Sequence, residues 1–142
     1  MKKIHFQEAV ELMAEANPAY SPHCYYFMRE ALDFTIKMLE KPTSGKARHV
    51  SGGELLEGVR KFALQEYGPL TKRVLNTWGI QRCEDFGRIV FIMVENGVLG
   101  KTEEDRIEDF TGGYEFEAAF LQPFRPAKRA DQPVPADQPR GA

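Results

Sequence analysis

The sequence predicts an α+β protein that is mostly helical, with about five helices followed by a C-terminal β-hairpin. Two observations lead to this fold class. Apolar side chains recur at three- and four-residue spacing through much of the chain, which is the period of an amphipathic helix. Near the C-terminal end, Tyr114, Phe116 and Ala118 alternate with acidic residues after two glycines, which is typical of a half-buried strand that follows a turn.

Residues 1–41 are predicted to form a pair of helices. The first spans residues 4–16 and ends before Pro18, because the residue that precedes a proline disfavours helical geometry. The second begins near Pro22, a residue type favoured in a first helical turn, and carries a wide apolar stripe. The loop-like composition of residues 41–46 separates this pair from the rest of the chain.

Two further helices are predicted between Ser51 and Gly79. Ser51 precedes Glu54 by three residues, and this spacing allows a reciprocal capping box at a helix N-terminus. Gly68 is expected to end that helix and Pro69 to begin the next, because glycine adopts left-handed backbone and proline suits a first turn. Gly79 is expected to end the fourth helix in the same way.

The segment that follows is compatible with two structures. Its β-branched residues and the Asn96-Gly97 pair, a strong turn signal, favour a buried strand over residues 88–95. Acidic residues in the first turn and Gly97 as a C-cap favour a helix over residues 84–96 instead. We favour the helix because a hairpin is predicted next, and the strand stays open as the alternative.

The order of three helices followed by a hairpin resembles a winged-helix domain, a variant of the helix-turn-helix. Residues 85–101 are similar to the recognition helix of such domains and to the segment that follows it. In these domains an amphipathic helix ends in Glu-x-Gly, and two apolar residues and a basic residue come next. The resemblance covers residues 51–121, about half of the chain. It implies a scaffold of the kind that reads DNA.

Several short motifs are spread over residues 4–121, namely His49-Val50-Ser51, Glu54-Leu55, Tyr67-Gly68-Pro69, Trp78-Gly79-Ile80, Asp85-Phe86-Gly87, Ile89-Val90-Phe91 and Tyr114-Glu115-Phe116. In these motifs the chain resembles a small bacterial family of conserved hypothetical proteins. The resemblance implies no activity, because none is assigned to that family.

The domain organisation follows from composition. Residues 1–121 are predicted to form a single globular domain, in which residues 51–121 are the winged-helix-like unit. Residues 122–142 hold five of the nine prolines and few large apolar side chains. Such a segment buries too little apolar area to offset its ordering entropy, so we predict a disordered proline-rich tail.

No motif in the sequence predicts an enzyme, a cofactor or a metal. Asp85-Phe86-Gly87 spells the magnesium triplet of protein kinases, but the glycine-rich loop and strand lysine of a kinase do not precede it. We interpret it as a first-turn acid, a core phenylalanine and a closely packed glycine. Cys24 and Cys83 lack the paired spacings of a zinc site and are predicted to be buried thiols, with a site shared with a histidine left open.

The charge distribution disfavours nucleic acid as a partner. Residues 51–121 carry eight basic and thirteen acidic side chains, and the predicted recognition helix offers Arg88 as its one basic residue. Binding to phosphates requires lysine and arginine. We therefore predict a non-enzymatic protein-interaction module on an acidic winged-helix-like scaffold. A nucleic-acid-binding transcriptional regulator, or an enzyme whose site is assembled across the fold, is the alternative.

The predicted partner surface combines Arg88, Phe91 and Ile92 on the fifth helix with Tyr114 and Phe116 on the hairpin. That helix is apolar around its whole circumference, so the N-terminal helix pair or a partner must cover it on more than one side. The sequence indicates a protein as partner but neither its identity nor the oligomeric state.

The location of the protein is predicted from two absences in the sequence. The longest apolar run has six residues, whereas a membrane-spanning helix needs roughly 20. Glu8 and Glu11 fall where a signal peptide would carry its apolar region. We therefore predict a cytoplasmic protein with no membrane association.

Overall fold

The computed structural model describes residues 5–41, 50–99 and 107–125. Within these ranges the chain is all helical, and no described residue belongs to a β-strand. The α-helices are α1 Phe6–Ala16, α2 His23–Met38, α3 Gly52–Tyr67, α4 Thr71–Thr77 and α5 Cys83–Glu95. Single helical turns at Gly68–Leu70, Ile107–Phe110, Glu117–Leu121 and Gln122–Phe124 complete the described structure, the third of them π-helical and the others 3₁₀.

The prediction of an α+β fold with a C-terminal β-hairpin is wrong. The last described segment forms helical turns, and its buried side chains are Phe116, Ala119 and Phe120, at three- and four-residue spacing. Ala118, which the strand pattern places on the same side as Tyr114, is exposed. This short stretch fits both the two-residue period of a strand and the 3.6-residue period of a helix. The helical conformation places both Phe116 and Phe120 in the core.

The helical interpretation of α5 is confirmed and the strand alternative is wrong. The helix ends at Glu95, two residues before Gly97, whose φ of 77° lies in the left-handed region that favours glycine. The Gly97 amide donates to the Val94 carbonyl at 3.0 Å, and the Val98 amide donates to the Met93 carbonyl at 3.0 Å. These bonds satisfy carbonyl groups that the last helical turn leaves without partners.

The predicted capping box of α3 is also confirmed. The Ser51 amide donates to Glu54 Oε1 at 3.0 Å, and the Glu54 amide donates to Ser51 Oγ at 3.1 Å. The bond from the Ser51 backbone is the largest cause of the lowered pKa of the Glu54 carboxyl. At the other end of this region, Gly68 and Gly79 adopt positive φ values of 54° and 99° where the helices end. Glycine therefore sets both boundaries.

Helices α2 and α3 pack closely against each other and run in opposite directions. Gly58 on α3 faces Thr35 on α2, and Phe62 on α3 contacts Phe34 on α2. A Cβ atom at Gly58 would overlap Thr35 Oγ1 and lie 2.7 Å from its Cβ. The Thr35 hydroxyl, which is fully buried, donates to the Ala31 carbonyl within α2 at 2.7 Å, so it has a partner in this tight contact.

The core lies between α2, α3 and α5. The interpretation of Phe86 and Gly87 as core residues is confirmed, since Phe86 is fully buried and a Cβ atom at Gly87 would lie 2.9 Å from the Phe110 ring. Burial of each large apolar side chain stabilises the fold by roughly 1.5 to 3 kcal/mol. The largest fully buried apolar side chains are Tyr25, Phe86, Phe120, Met13, Met28, Leu75, Ile80, Ile89, Met93, Val10 and Val59.

The α-helices are short, and each contains both apolar and polar residues. Helix α5, which carries the longest apolar run, has 13 residues. Among the described residues, no helix combines the length and the apolar character needed to cross a membrane.

The predicted disordered tail begins at residue 122, and its residues 126–142 lie outside the described structure. Most of the predicted loop at residues 41–46 also lies outside it.

We expect Gly58→Ala to lower the free energy of unfolding by about 1 to 3 kcal/mol, because the added methyl group overpacks the contact with Thr35. Gly53→Ala is the matched control on the same helix, since nothing lies within 4 Å of the added atom. Alanine has a higher helix propensity than glycine, so this control substitution should leave the free energy of unfolding unchanged or raise it. Urea titration followed by circular dichroism measures both, and equal effects would contradict the close approach of the two helices.

Candidate functional site

One half of the predicted partner surface lies on the outer side of α5. The side chain of Arg88 is 57% exposed, and Phe91 and Ile92 are half-buried. Phe91 and Ile92 follow Arg88 by three and four residues, so both lie beside it on the helix. That side is available in part to a partner.

The other half of the predicted surface lies largely inside the protein. Phe116 is 4% exposed, and its ring centroid lies 5.7 Å from that of Phe86 and 4.9 Å from that of Phe120. Tyr114 is half-buried and its hydroxyl donates to the Leu56 carbonyl at 2.8 Å. Burial is the largest cause of the raised pKa of the Tyr114 hydroxyl. The structure brings Tyr114 and Phe116 together, at 6.4 Å between ring centroids, but as part of an internal aromatic cluster.

Arg88 also belongs to a polar cluster around Asp85, which is 7% exposed. Oδ1 of Asp85 accepts hydrogen bonds from the Tyr20 hydroxyl at 2.7 Å and from Arg88 Nη1 at 3.1 Å. Oδ2 accepts from the backbone amides of Gln81 at 2.8 Å and of Arg82 at 3.2 Å. A carboxylate offers about four lone-pair sites, so the one at Asp85 is fully satisfied.

The Asp85 cluster is better suited to holding the structure together than to catalysis. It borders an open groove of about 490 Å³ that is also lined by Ala19 and Gly79. Burial, followed by the hydrogen bond to Asp85, raises the pKa of Tyr20 to about 12. Tyr20 therefore keeps its proton at neutral pH, and the carboxylate has no free lone pair with which to act as a base.

The cysteines are confirmed as buried thiols. The Cys24 and Cys83 thiols donate to the carbonyls of Trp78 and Tyr114, each at 3.4 Å. Burial raises the pKa of Cys24 to about 12 and that of Cys83 to about 11, so both are protonated at neutral pH and poor nucleophiles. In the described part of the chain, no three histidine, cysteine or acidic side chains are grouped so that they could hold a metal ion.

A row of six aromatic side chains crosses α2, α3 and the end of α4. Neighbouring ring centroids in this row lie 5.4 to 6.3 Å apart, within the range of favourable aromatic contacts. We call it the aromatic row, and its members are Phe34, Phe62, Phe27, Tyr67, Trp78 and His23.

The aromatic row is anchored in the core and reaches the surface. Phe27 is 3% exposed and contacts rings on both sides of it. The four members that flank it on α2, α3 and the end of α4 are half-buried. His23 is exposed, and its ring stacks on Trp78 with an angle of 5° between the planes. Parts of five adjoining aromatic rings are thus accessible to solvent.

Sequence reasoning missed the aromatic row because its members come from three elements. Helical periodicity predicts which side chains share an apolar helix face, but it does not indicate which faces meet. The signal available in the sequence was the stripe of His23, Phe27 and Phe34 on α2, at spacings of four and seven residues. The partners of that stripe become visible only in the folded chain.

No protein-family model, curated protein or solved structure matches this chain. The resemblances to winged-helix domains and to a bacterial family therefore stay predictions, apart from the hairpin, which the described structure replaces with helical turns. The function has to be argued from the surface and the polar clusters of this chain.

Two buried tyrosines test the importance of the Asp85 cluster. We expect Tyr20→Phe to lower the free energy of unfolding by about 1.5 to 3 kcal/mol, because it removes a hydrogen bond to a charged group. Tyr25 is fully buried and its hydroxyl has no hydrogen-bond partner within the described part of the chain. Tyr25→Phe should therefore be neutral or stabilising.

Urea titration of the two phenylalanine variants, followed by circular dichroism, measures the difference. Equal losses of stability would mean that the hydroxyl of Tyr20 contributes no more to the free energy of unfolding than that of Tyr25. The hydrogen bond from Tyr20 to Asp85 would then not stabilise the fold.

Proposed function

We propose that the protein is a non-enzymatic protein-interaction module that binds its partner through the aromatic row. The observation that carries this proposal is the continuity of the row, in which four half-buried rings and one exposed ring adjoin each other. Trp, Tyr and Phe are enriched in the central parts of protein interfaces. A partner that covers these rings removes further apolar area from water, at roughly 25 cal/mol per Å².

The α5 surface of Arg88, Phe91 and Ile92 is a second candidate for the same function. It is favoured by the exposure of Arg88, a residue type that is common in interfaces. Tyr114 and Phe116 do not extend it, because they lie in the internal aromatic cluster. Part of the exposed guanidinium is already engaged by Asp85. For these reasons the aromatic row is the stronger candidate.

The two alternative functions have weaker support. A nucleic-acid-binding surface needs basic residues near the rings that stack on bases, whereas acidic side chains, Glu30 and Glu66, accompany the aromatic row. An enzyme needs a titratable group that is free to act, whereas Asp85 and Tyr20 are engaged with each other. Protein binding requires neither feature.

The proposal is tested by identifying a partner from the source cells and then measuring the affinity of the purified partner for variants of this chain. Trp78→Leu and Tyr67→Leu keep an apolar side chain at each position but remove the aromatic rings. We expect each to weaken binding by about tenfold or more, as substitutions at interface hot spots do. Leu12→Ser is the matched control, since Leu12 is 52% exposed on α1, outside the row.

A second pair of variants, Arg88→Glu and Phe91→Ser, tests the α5 surface in the same assay. Unchanged helical content by circular dichroism confirms that each variant is folded. If the α5 variants lose the partner while both leucine variants retain it, the aromatic row is not the binding surface.

A further inference from the structure

Two acidic side chains lie beside the aromatic row. Glu30 follows Phe27 by three residues on α2 and precedes Phe34 by four, so it shares their side of the helix. Glu66 follows Phe62 by four residues on α3. Both glutamates are exposed. The row is therefore bordered by carboxylates on each of its two main helices.

Both carboxylates are unpaired in the part of the chain that the structure describes. Within residues 5–41, 50–99 and 107–125, neither Glu30 nor Glu66 forms a hydrogen bond or an ion pair. Burial, followed by the negative charges of Glu66 and Glu30, raises the pKa of the Tyr67 hydroxyl. This agrees with the position of both glutamates beside the row, which follows from their helical spacing.

Several basic residues of the same two helices are engaged elsewhere. The guanidinium of Arg29 lies over the Phe6 ring, 4.4 Å from its centroid. Arg60 and Lys61 both form ion pairs with Glu57. Lys37, the fourth basic residue of these helices, is exposed and follows Phe34 by three residues, so it lies at the end of the row away from Trp78 and Tyr67. Glu30 and Glu66 are thus the charged groups of α2 and α3 that border the row near Trp78 and Tyr67.

We propose that the aromatic row binds a basic segment of a partner protein, in which arginine side chains alternate with apolar ones. The guanidinium groups lie against the parts of the Trp78 and Tyr67 rings that His23 and Phe27 leave open, and they pair with Glu30 and Glu66, while apolar side chains cover Phe34 and Phe62. A cation is attracted to the face of Trp or Tyr, and arginine stacks on such faces while it pairs with a carboxylate. This inference rests on the proposed function and adds the chemical class of the partner.

The binding site carries its own probe, because Trp78 is the only tryptophan in the chain. The ligand is a synthetic peptide in which arginine alternates with leucine. A matched peptide carries uncharged citrulline in place of every arginine, and another carries glutamate. Titration of each peptide into the full chain at low salt, followed by Trp78 fluorescence, gives the dissociation constants.

We expect the arginine peptide to change the Trp78 fluorescence saturably and to bind about tenfold more tightly than the citrulline peptide, with no binding of the glutamate peptide. Added salt should weaken the binding, since the carboxylates are exposed. The double variant Glu30→Gln and Glu66→Gln should weaken it by about fivefold. The matched control, Glu11→Gln with Glu15→Gln on α1, should leave it unchanged.

Three results would overturn the inference: no binding of the arginine peptide, equal binding of the citrulline peptide, or equal affinity in the Glu30 and Glu66 double variant. Equal binding of arginine and citrulline peptides at Trp78 would leave the aromatic row as an apolar docking surface, so the proposed function would survive. Failure of the proposed function has a different signature, namely a native partner that binds Trp78→Leu and Tyr67→Leu as tightly as the unaltered chain.

Discussion

The buried carboxylate of Asp85 joins two loops that are far apart in the sequence. It accepts a hydrogen bond from the hydroxyl of Tyr20, which lies between α1 and α2, 65 residues away in the sequence. It also accepts hydrogen bonds from the backbone amides of Gln81 and Arg82, which precede α5. A buried charge is tolerated only when its hydrogen bonds are made. The fold must therefore bring these groups together, and in doing so it places α1, α2 and α5 relative to one another.

The same arrangement presents the aromatic surface. The loop that Asp85 closes contains Trp78, whose carbonyl accepts a hydrogen bond from the Ser21 amide at 2.9 Å. It also contains Gly79, which has no side chain to collide with the nearby Ala19 carbonyl. In this position the indole packs on Phe27 and His23. A group that stabilises the fold thus also orders the side chain to which we assign partner binding, and preordering lowers the entropic cost of association.

Local patterns in the sequence predicted local structure well and long-range structure poorly. The capping box at Ser51 and the glycine end of α5 depend on residues a few positions apart, and both are confirmed. The hairpin was wrong because a short segment around Phe116 satisfies the periods of both strand and helix, and only its packing decides between them. For the site, sequence placed Asp85 in a first helical turn, but its bond to Tyr20 and the meeting of the aromatic rings depend on the tertiary fold.

The most direct test of this account is a double-mutant cycle between Tyr20→Phe and Asp85→Ala, with unfolding in urea followed by the fluorescence of Trp78. The account predicts a coupling energy of about 1.5 to 3 kcal/mol between the two positions, as for a hydrogen bond to a charged group. Effects that add to within about 0.5 kcal/mol would show that the two residues act independently. The Asp85 cluster would then not be the interaction that holds these loops and Trp78 in place.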